Sequence, residues 1–311
     1  MDNPLRGRDL LSLGDLTPSE LLGIIDAAEA QKRAWNRGVR TSPLAGKAVA
    51  LIFQKPSMRT RVSFEVACYR LGAHPVVMSG PDGAFSRGET VYDTTKVLER
   101  YCDAIVIRTF AQSMVEEIAE YAAVPVVNAL TDDHHPCQGL ADFLTIREHL
   151  GRLSGVRLAY VGDGNNMANT YLLGGALLGM SVAIATPPGF EVAEQIVAQA
   201  TATAEQTGGR IQVTRDANEA VAGADIVVTD TWASMGQEAE KESRAAAFAP
   251  YCVDASMMAA AGPGALFMHC LPAHRGEEVL DEVIDAPCSV VFDEAENRLH
   301  AQKALLSLIL G

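Results

Sequence analysis

Ser57, Arg59, Thr60 and Arg61 crowd two hydroxyls and two guanidinium groups into little more than one helical turn, just after the apolar run Ala48 to Phe53. Pro56 and Ser57 read as a helix start and cap, with an apolar stripe through Val62, Val66 and Tyr69 behind them. The freed amides of that turn would join the side chains on one small anion, phosphate by preference. The rival reading is an ordinary capped helix with solvated arginines. Arg108, at the end of the run from Ala104, is a fixed cation that serves either a ligand or a salt bridge. In His135-Pro136-Cys137-Gln138 the proline fixes the backbone, so His135 and Gln138 can present a proton donor and an amide to a carbonyl. His134 and His135 could instead be metal ligands, but no third ligand stands at a suitable spacing.

Further along, the chemistry changes sign. Gly162-Asp163-Gly164 opens like a dinucleotide fingerprint, yet the next apolar run ends in Thr186-Pro187-Pro188, where a nicotinamide site would want an acid. Asn165 and Asn166 suit a small polar ligand better. Asp230 can bind an ammonium or cap a turn, and Cys270 is either a working thiol or a buried one. Cations and donors in the first half (the pair Arg59 and Arg61, with Arg108 and His135) therefore face an acid, amides and a thiol in the second (Asp230, Asn166, Cys270). The pattern suggests a cleft between an anionic donor and an amine acceptor, and group transfer without a redox cofactor.

Short β-branched runs must position these residues, and most of them directly precede one: Ala48 to Phe53, Ala104 to Ile107, Val124 to Val127, Leu158 to Val161, Val182 to Ala185, Asp225 to Val228 and Ala265 to Met268. Helical segments alternate with them. Examples are Leu140 to Leu150 and an early helix ending near Arg33, with Thr17 as cap, Pro18 in its first position and Glu20 completing a capping box. Strand, helix, strand repetition predicts an α/β protein of two doubly wound parallel-sheet domains. The expected domains are residues 1–150 and 151–296, divided at the glycines Gly151 and Gly155. A last helix from Asn297 to Leu310 is expected to return to the first domain.

Composition narrows the partners. The 311 residues carry 39 acids against 25 bases, a net charge of -14, which repels nucleic acid and anionic membranes. No apolar run reaches the roughly 18 residues of a membrane span, and Asp2 and Asp9 interrupt the place of a secretory signal, so a cytoplasmic protein is expected. Six scattered cysteines form no C-x-x-C pair and read as reduced thiols.

With Asp230-Thr231-Trp232-Ala233-Ser234-Met235-Gly236, His269-Cys270-Leu271-Pro272 and Glu296-Asn297-Arg298-Leu299-His300, the motifs around Arg59 and His135 resemble the ornithine carbamoyltransferases along nearly the full length. The aspartate-specific sister group shares the first two motifs but is less similar at Ser234-Met235-Gly236 and His269-Cys270-Leu271-Pro272. The resemblance implies transfer of a carbamoyl group from carbamoyl phosphate to L-ornithine in arginine biosynthesis, with no cofactor and no metal, in a homotrimer or a multiple of trimers. It implies that Ser57, Met58, Arg59, Thr60, Arg108, His135, Gln138 and Arg298 hold carbamoyl phosphate. Asn166, Asp230, Ser234 and Met235 would hold ornithine, and Cys270 and Leu271 would lie between the two ligands. Arg59, Arg108, His135 and Cys270 form the implied catalytic set. Two residues depart from the family pattern: Met58 stands where threonine is usual, and Ala84 where glutamine is expected in a loop that reaches a neighbouring subunit's site. They leave open a non-catalytic or regulatory relative, or a carbamoyltransferase for another amine.

Overall fold

Every strand among the described residues lies parallel to its neighbours, in two separate sheets. The computed structural model describes residues 3–79, 84–85, 88–233 and 241–311. The chain folds into two compact units, Met1–Leu144 with Glu296–Gly311, and Thr145–Ala295.

In the first unit α1 (Pro18–Asn36) is followed by β1 (Ala48–Phe53), α2 (Arg59–Leu71), β2 (His74–Ser79), α3 (Val91–Tyr101), β3 (Ala104–Arg108), α4 (Gln112–Tyr121), β4 (Val126–Leu130) and α5 (Pro136–Leu150), the last of which runs on past the unit boundary. The start of α1 is as the sequence predicts: the Thr17 side chain accepts from the Glu20 N–H and Glu20 accepts from the Thr17 N–H, a complete capping box. The sheet order is β2-β1-β3-β4. The central strands are buried on both faces, which is why β3 reads as a continuous apolar run and not an alternating one.

The second unit holds β5 (Arg157–Val161), α6 (Asn166–Leu177), β6 (Ser181–Ala185), α7 (Glu194–Thr207), β7 (Arg210–Thr214), α8 (Ala217–Val221), β8 (Ile226–Thr229), α9 (Lys241–Phe248), α10 (Ala255–Ala260), β9 (Leu266–His269) and α11 (Asp281–Ile284). Its order is β7-β6-β5-β8-β9. Then α12 (Val291–Leu310) begins in this unit and ends in the first, where Asn3 Nδ2 and the Gly7 N–H donate to its Leu308 and Ile309 carbonyls. No helix among the described residues is long and apolar enough to cross a membrane.

The structure corrects four details of the expected elements. Two strands escape the apolar reading, β2 and β7; both are edge strands, where Pro75 and the polar residues Arg210 and Gln212 are tolerated because one side of the ladder goes unpaired. The apolar stripe expected on α2 is its outer face, with Val62 51% and Tyr69 78% exposed. Thr60, Phe64, Ala67 and Leu71 have the same helical period and are the face that is buried. Ser57 does not cap α2, since Met58 occupies the N-cap and makes no side-chain cap bond. Finally, α12 starts at Val291 and not at Asn297, so Arg298 projects from the body of a helix and is buried.

Candidate active site

Open parallel sheets offer a crevice where the strand order reverses, at the carboxyl ends of the two strands that part there. In the first sheet those strands are β1 and β3, followed by Gln54 to Thr60 and ended by Arg108. In the second they are β5 and β8, followed by Gly162 to Asn166 and by Asp230. The switch points of the two sheets thus carry most of the residues that the sequence singled out.

In the first unit, five side chains make one buried network. Asp142 Oδ1 accepts from Gln138 Nε2 (2.7 Å), Gln138 Oε1 accepts from Arg298 Nη1 (2.9 Å), and Arg298 Nη2 donates to the Thr60 hydroxyl (2.6 Å). Arg108 Nη1 donates to the same hydroxyl oxygen at 3.3 Å. Both lone pairs of Thr60 Oγ1 are thereby engaged by cations, and its proton finds no acceptor among the described residues. The Ser57 hydroxyl nearby in sequence is also buried without a hydrogen-bond partner. Buried donors of this kind, beside two guanidinium groups, fit an anionic ligand with oxygen acceptors. Arg59 is half-buried, whereas Arg61 turns outward to Glu65 (2.6 Å) and does not join the cluster, so the expected pairing of Arg59 with Arg61 does not form. Met58 points its side chain into solvent.

His135 is buried at the start of α5, where its carbonyl accepts from the Gln138 N–H. Burial, then the Arg298 and Arg108 charges, hold its pKa well below the usual histidine value. The imidazole is therefore neutral at pH 7 and keeps one N–H to donate. Cys137 beside it is pushed up to about 12 by burial and is an inert thiol.

In the second unit the centre is Asp230. Its Oδ2 accepts from Asn165 Nδ2 (2.9 Å), and its Oδ1 accepts from the Thr231 N–H (2.7 Å) and from the Cys270 thiol (3.1 Å). A carboxylate has about four acceptor positions, so these three bonds leave capacity for one more donor, such as an ammonium. Asn165, which the sequence suits to a small polar ligand, is engaged within the protein, for its Oδ1 caps α6 by accepting from the Met167 N–H at 2.9 Å. Asn166, the first residue of α6, is buried near the same strand ends. Leu271 adopts φ 56°, a left-handed conformation rare for a branched side chain, and its N–H donates to His269 Nδ1 at 2.8 Å. Ser234 and Met235 lie outside the described residues, as does most of the loop around Ala84.

Three supports were not legible in the sequence. Arg244 donates to Asp163 Oδ2 (2.7 Å) and to the Trp232 carbonyl (2.8 Å), tying down both strand-end segments. His269 accepts from Leu271 at Nδ1, so its proton sits on Nε2, which faces buried Glu278 Oε1 at 3.2 Å. Gly164 permits close backbone packing: a Cβ there would lie 2.5 Å from the Phe190 carbonyl, so this glycine answers to the chain itself and not to a dinucleotide.

Comparison with known proteins agrees with this layout. Residues 8–148 match the family model "Aspartate/ornithine carbamoyltransferase, carbamoyl-P binding domain", and residues 154–309 match the corresponding "Asp/Orn binding domain". The chain belongs to the aspartate/ornithine carbamoyltransferase family. Within that family it is similar to the ornithine carbamoyltransferase of Parafrankia sp., 55% identical over 308 residues that cover 98% of this chain and 97% of the relative. It is 50% identical to the anabolic ornithine carbamoyltransferase of Pyrococcus furiosus, over 99% of this chain and 98% of the relative. A solved ornithine carbamoyltransferase structure from Pyrococcus furiosus superposes with a TM-score of 0.96, over 99% of this chain and 98% of that one. The likeness spans both units.

Proposed function

We infer that this member of the family transfers the carbamoyl group of carbamoyl phosphate to the side-chain amine of L-ornithine, yielding L-citrulline and phosphate in arginine biosynthesis. The single observation that carries the reading is the chemical split between the two switch points. Buried cations and proton donors gather at the first, and a carboxylate with spare acceptor capacity stands at the second. The relatives named above support ornithine as the acceptor.

On this reading the first unit is the donor domain. Arg59, Arg108, Arg298 and the amides at the start of α2, with the Ser57 and Thr60 hydroxyls, hold the phosphate and stabilise the charge it gains on leaving. The Met58 main-chain N–H remains available although the usual hydroxyl is missing. Neutral His135 donates its N–H to the carbamoyl oxygen as oxyanion character develops, and Gln138 orients Arg298. The second unit is the acceptor domain, in which Asp230 takes the α-ammonium, Asn166 the α-carboxylate, and Ser234 and Met235 complete the amino-acid site. Cys270 and Leu271 flank the reacting amine. That amine, with an ordinary pKa of about 10.4, must lose its proton before it attacks. The N–C bond then forms, the bond from the carbonyl carbon to the phosphate oxygen breaks with its electron pair leaving on phosphate, and the departing phosphate takes up the second nitrogen proton. No redox group takes part.

A homotrimeric, cytoplasmic enzyme is part of the same proposal. Most large apolar side chains exposed among the described residues belong to the first unit, including Val62, Tyr69, Tyr92 and Tyr101, which suits assembly through that unit. Incubation with carbamoyl phosphate and L-ornithine should release equal amounts of citrulline and phosphate, and other amines should react poorly. A well-folded preparation that forms no citrulline, or that prefers aspartate, would overturn the reading. Light scattering should give the mass of three chains or a multiple of three.

A further inference from the structure

Beyond the residues assigned above, the loop that follows β9 brings three potential ligands together. We propose that His274, Glu277 and Glu278 form a site for a first-row divalent metal ion of the zinc class, bound through one imidazole nitrogen and two carboxylate oxygens. One ligand atom from each residue lies within 4.8 Å of the others. Bonds of about 2.0–2.2 Å to nitrogen and oxygen place tetrahedral ligands about 3.4 Å apart, so a small turn of the exposed His274 ring closes the set. The loop itself is tight: the Glu277 N–H donates to the His274 carbonyl (2.9 Å), and Gly276 takes φ +85°.

An independent sign is the state of Glu278. Its side chain is 0% exposed, and Oε1 accepts from the His274 N–H (2.5 Å) and faces His269 Nε2 (3.2 Å). Yet Oε2 is buried and makes no hydrogen bond among the described residues, while His274 Nδ1 stands 3.7 Å away, beyond hydrogen-bond reach. A buried carboxylate oxygen in that condition demands a partner. The adjacent guanidinium does not supply it, because Arg275 is committed to Asp281 and to both oxygens of Asp285. An imidazole among the ligands selects zinc, cobalt or nickel over calcium or magnesium, which prefer all-oxygen shells. Because Glu278 Oε1 also faces His269, which in turn receives the Leu271 N–H, an ion on Oε2 would fix the support behind Cys270 and Leu271.

The test is titration of the metal-stripped full chain with Co2+, followed by absorption and calorimetry. One equivalent should bind per chain, with visible d–d bands and no intense thiolate-to-cobalt charge transfer. His274→Ala and Glu277→Gln alter exposed or half-exposed positions, and circular dichroism should show both folded. Each should weaken binding by about tenfold or more, given that even partners outside the ligand set are worth about 10–100-fold. The site is refuted if Co2+ fails to bind stoichiometrically or if folded His274→Ala binds it as tightly as the parent. Thiolate bands that disappear in Cys270→Ser would also refute it, by placing the ion on the thiol.

Discussion

Thr60 carries an unusual load for a neutral side chain, since its one oxygen accepts from two arginines and its one proton is left to donate. Thr60→Ser retains that arrangement and should keep activity within about tenfold. Thr60→Val keeps the shape but leaves two buried guanidinium groups facing a methyl. With a preorganised donor lost, kcat should fall on the order of 100-fold or more. Arg108→Ala should cost at least as much, and steady-state kinetics with a circular dichroism control will show whether folding is spared. Near-normal turnover would return Arg108 to a structural role. For Asp230→Asn, the new amide must turn its NH2 toward donors that now point at an oxygen, from Asn165 on one side or from Thr231 and Cys270 on the other. Loss of a charge-assisted bond worth roughly 1.5–3 kcal/mol should raise the KM for ornithine by about one to two orders of magnitude. Carbamoyl phosphate binding to the free protein should be spared, and the opposite pattern would reverse the assignment of the two units.

At the scale of the element, α12 holds a titrating group whose effect has a definite sign. His300 is buried on this helix, hydrogen-bonded to Glu296 at 3.2 Å, and burial is the main reason its pKa is lowered from 6.5 to about 4. The unfolded chain takes up a proton below about pH 6.5, whereas the folded one does not until about pH 4. This group therefore lowers stability as the pH falls through that window and leaves it unchanged above it. Its contribution to the slope should approach about 1.4 kcal/mol per pH unit, visible in urea unfolding as an acid limb that is shallower by that amount in His300→Gln. The strands of the interior were legible in the sequence because continuous burial leaves an apolar run. The edge strands β2 and β7 were not, since an edge asks less of its residues. The full reach of α12 was hidden too, because its first turns are held by contacts distant in sequence, such as the His269 N–H that donates to Glu294 Oε2 at 2.9 Å. Of the site, the cations after β1 and β3 and the acid after β8 were readable from their places at strand ends. Arg244 was not, because it acts on Asp163, far away in sequence, and Glu278 was not, because its burial is invisible in a polar stretch. The buried face of α2 could not be chosen from period alone, as two stripes shared it.

For the molecule as a whole, the decisive trait is that the first unit is discontinuous, closed by Glu296–Gly311 after the whole second unit has intervened. Leu305, Leu306 and Ile309 are buried there, each worth about 1.5–3 kcal/mol, which together rivals the roughly 5–15 kcal/mol that stabilises a typical domain. A chain ending at Ala295 should therefore lose protease resistance across residues 3–144, while residues 145–295 stay protected. Limited proteolysis with mass spectrometry will show this, and a protected first unit would mean that α12 is dispensable. The same discontinuity sets a timetable on the ribosome. Thr145–Ala295 is continuous and has all its residues once Ala295 is made, but the unit begun first must wait for Glu296–Gly311 to emerge. Arg298, which completes the network around Thr60, is made only after the entire second unit, so a nascent chain that stalled before it would lack that network. In this protein α12 ties the closure of the first unit to prior synthesis of the whole second unit.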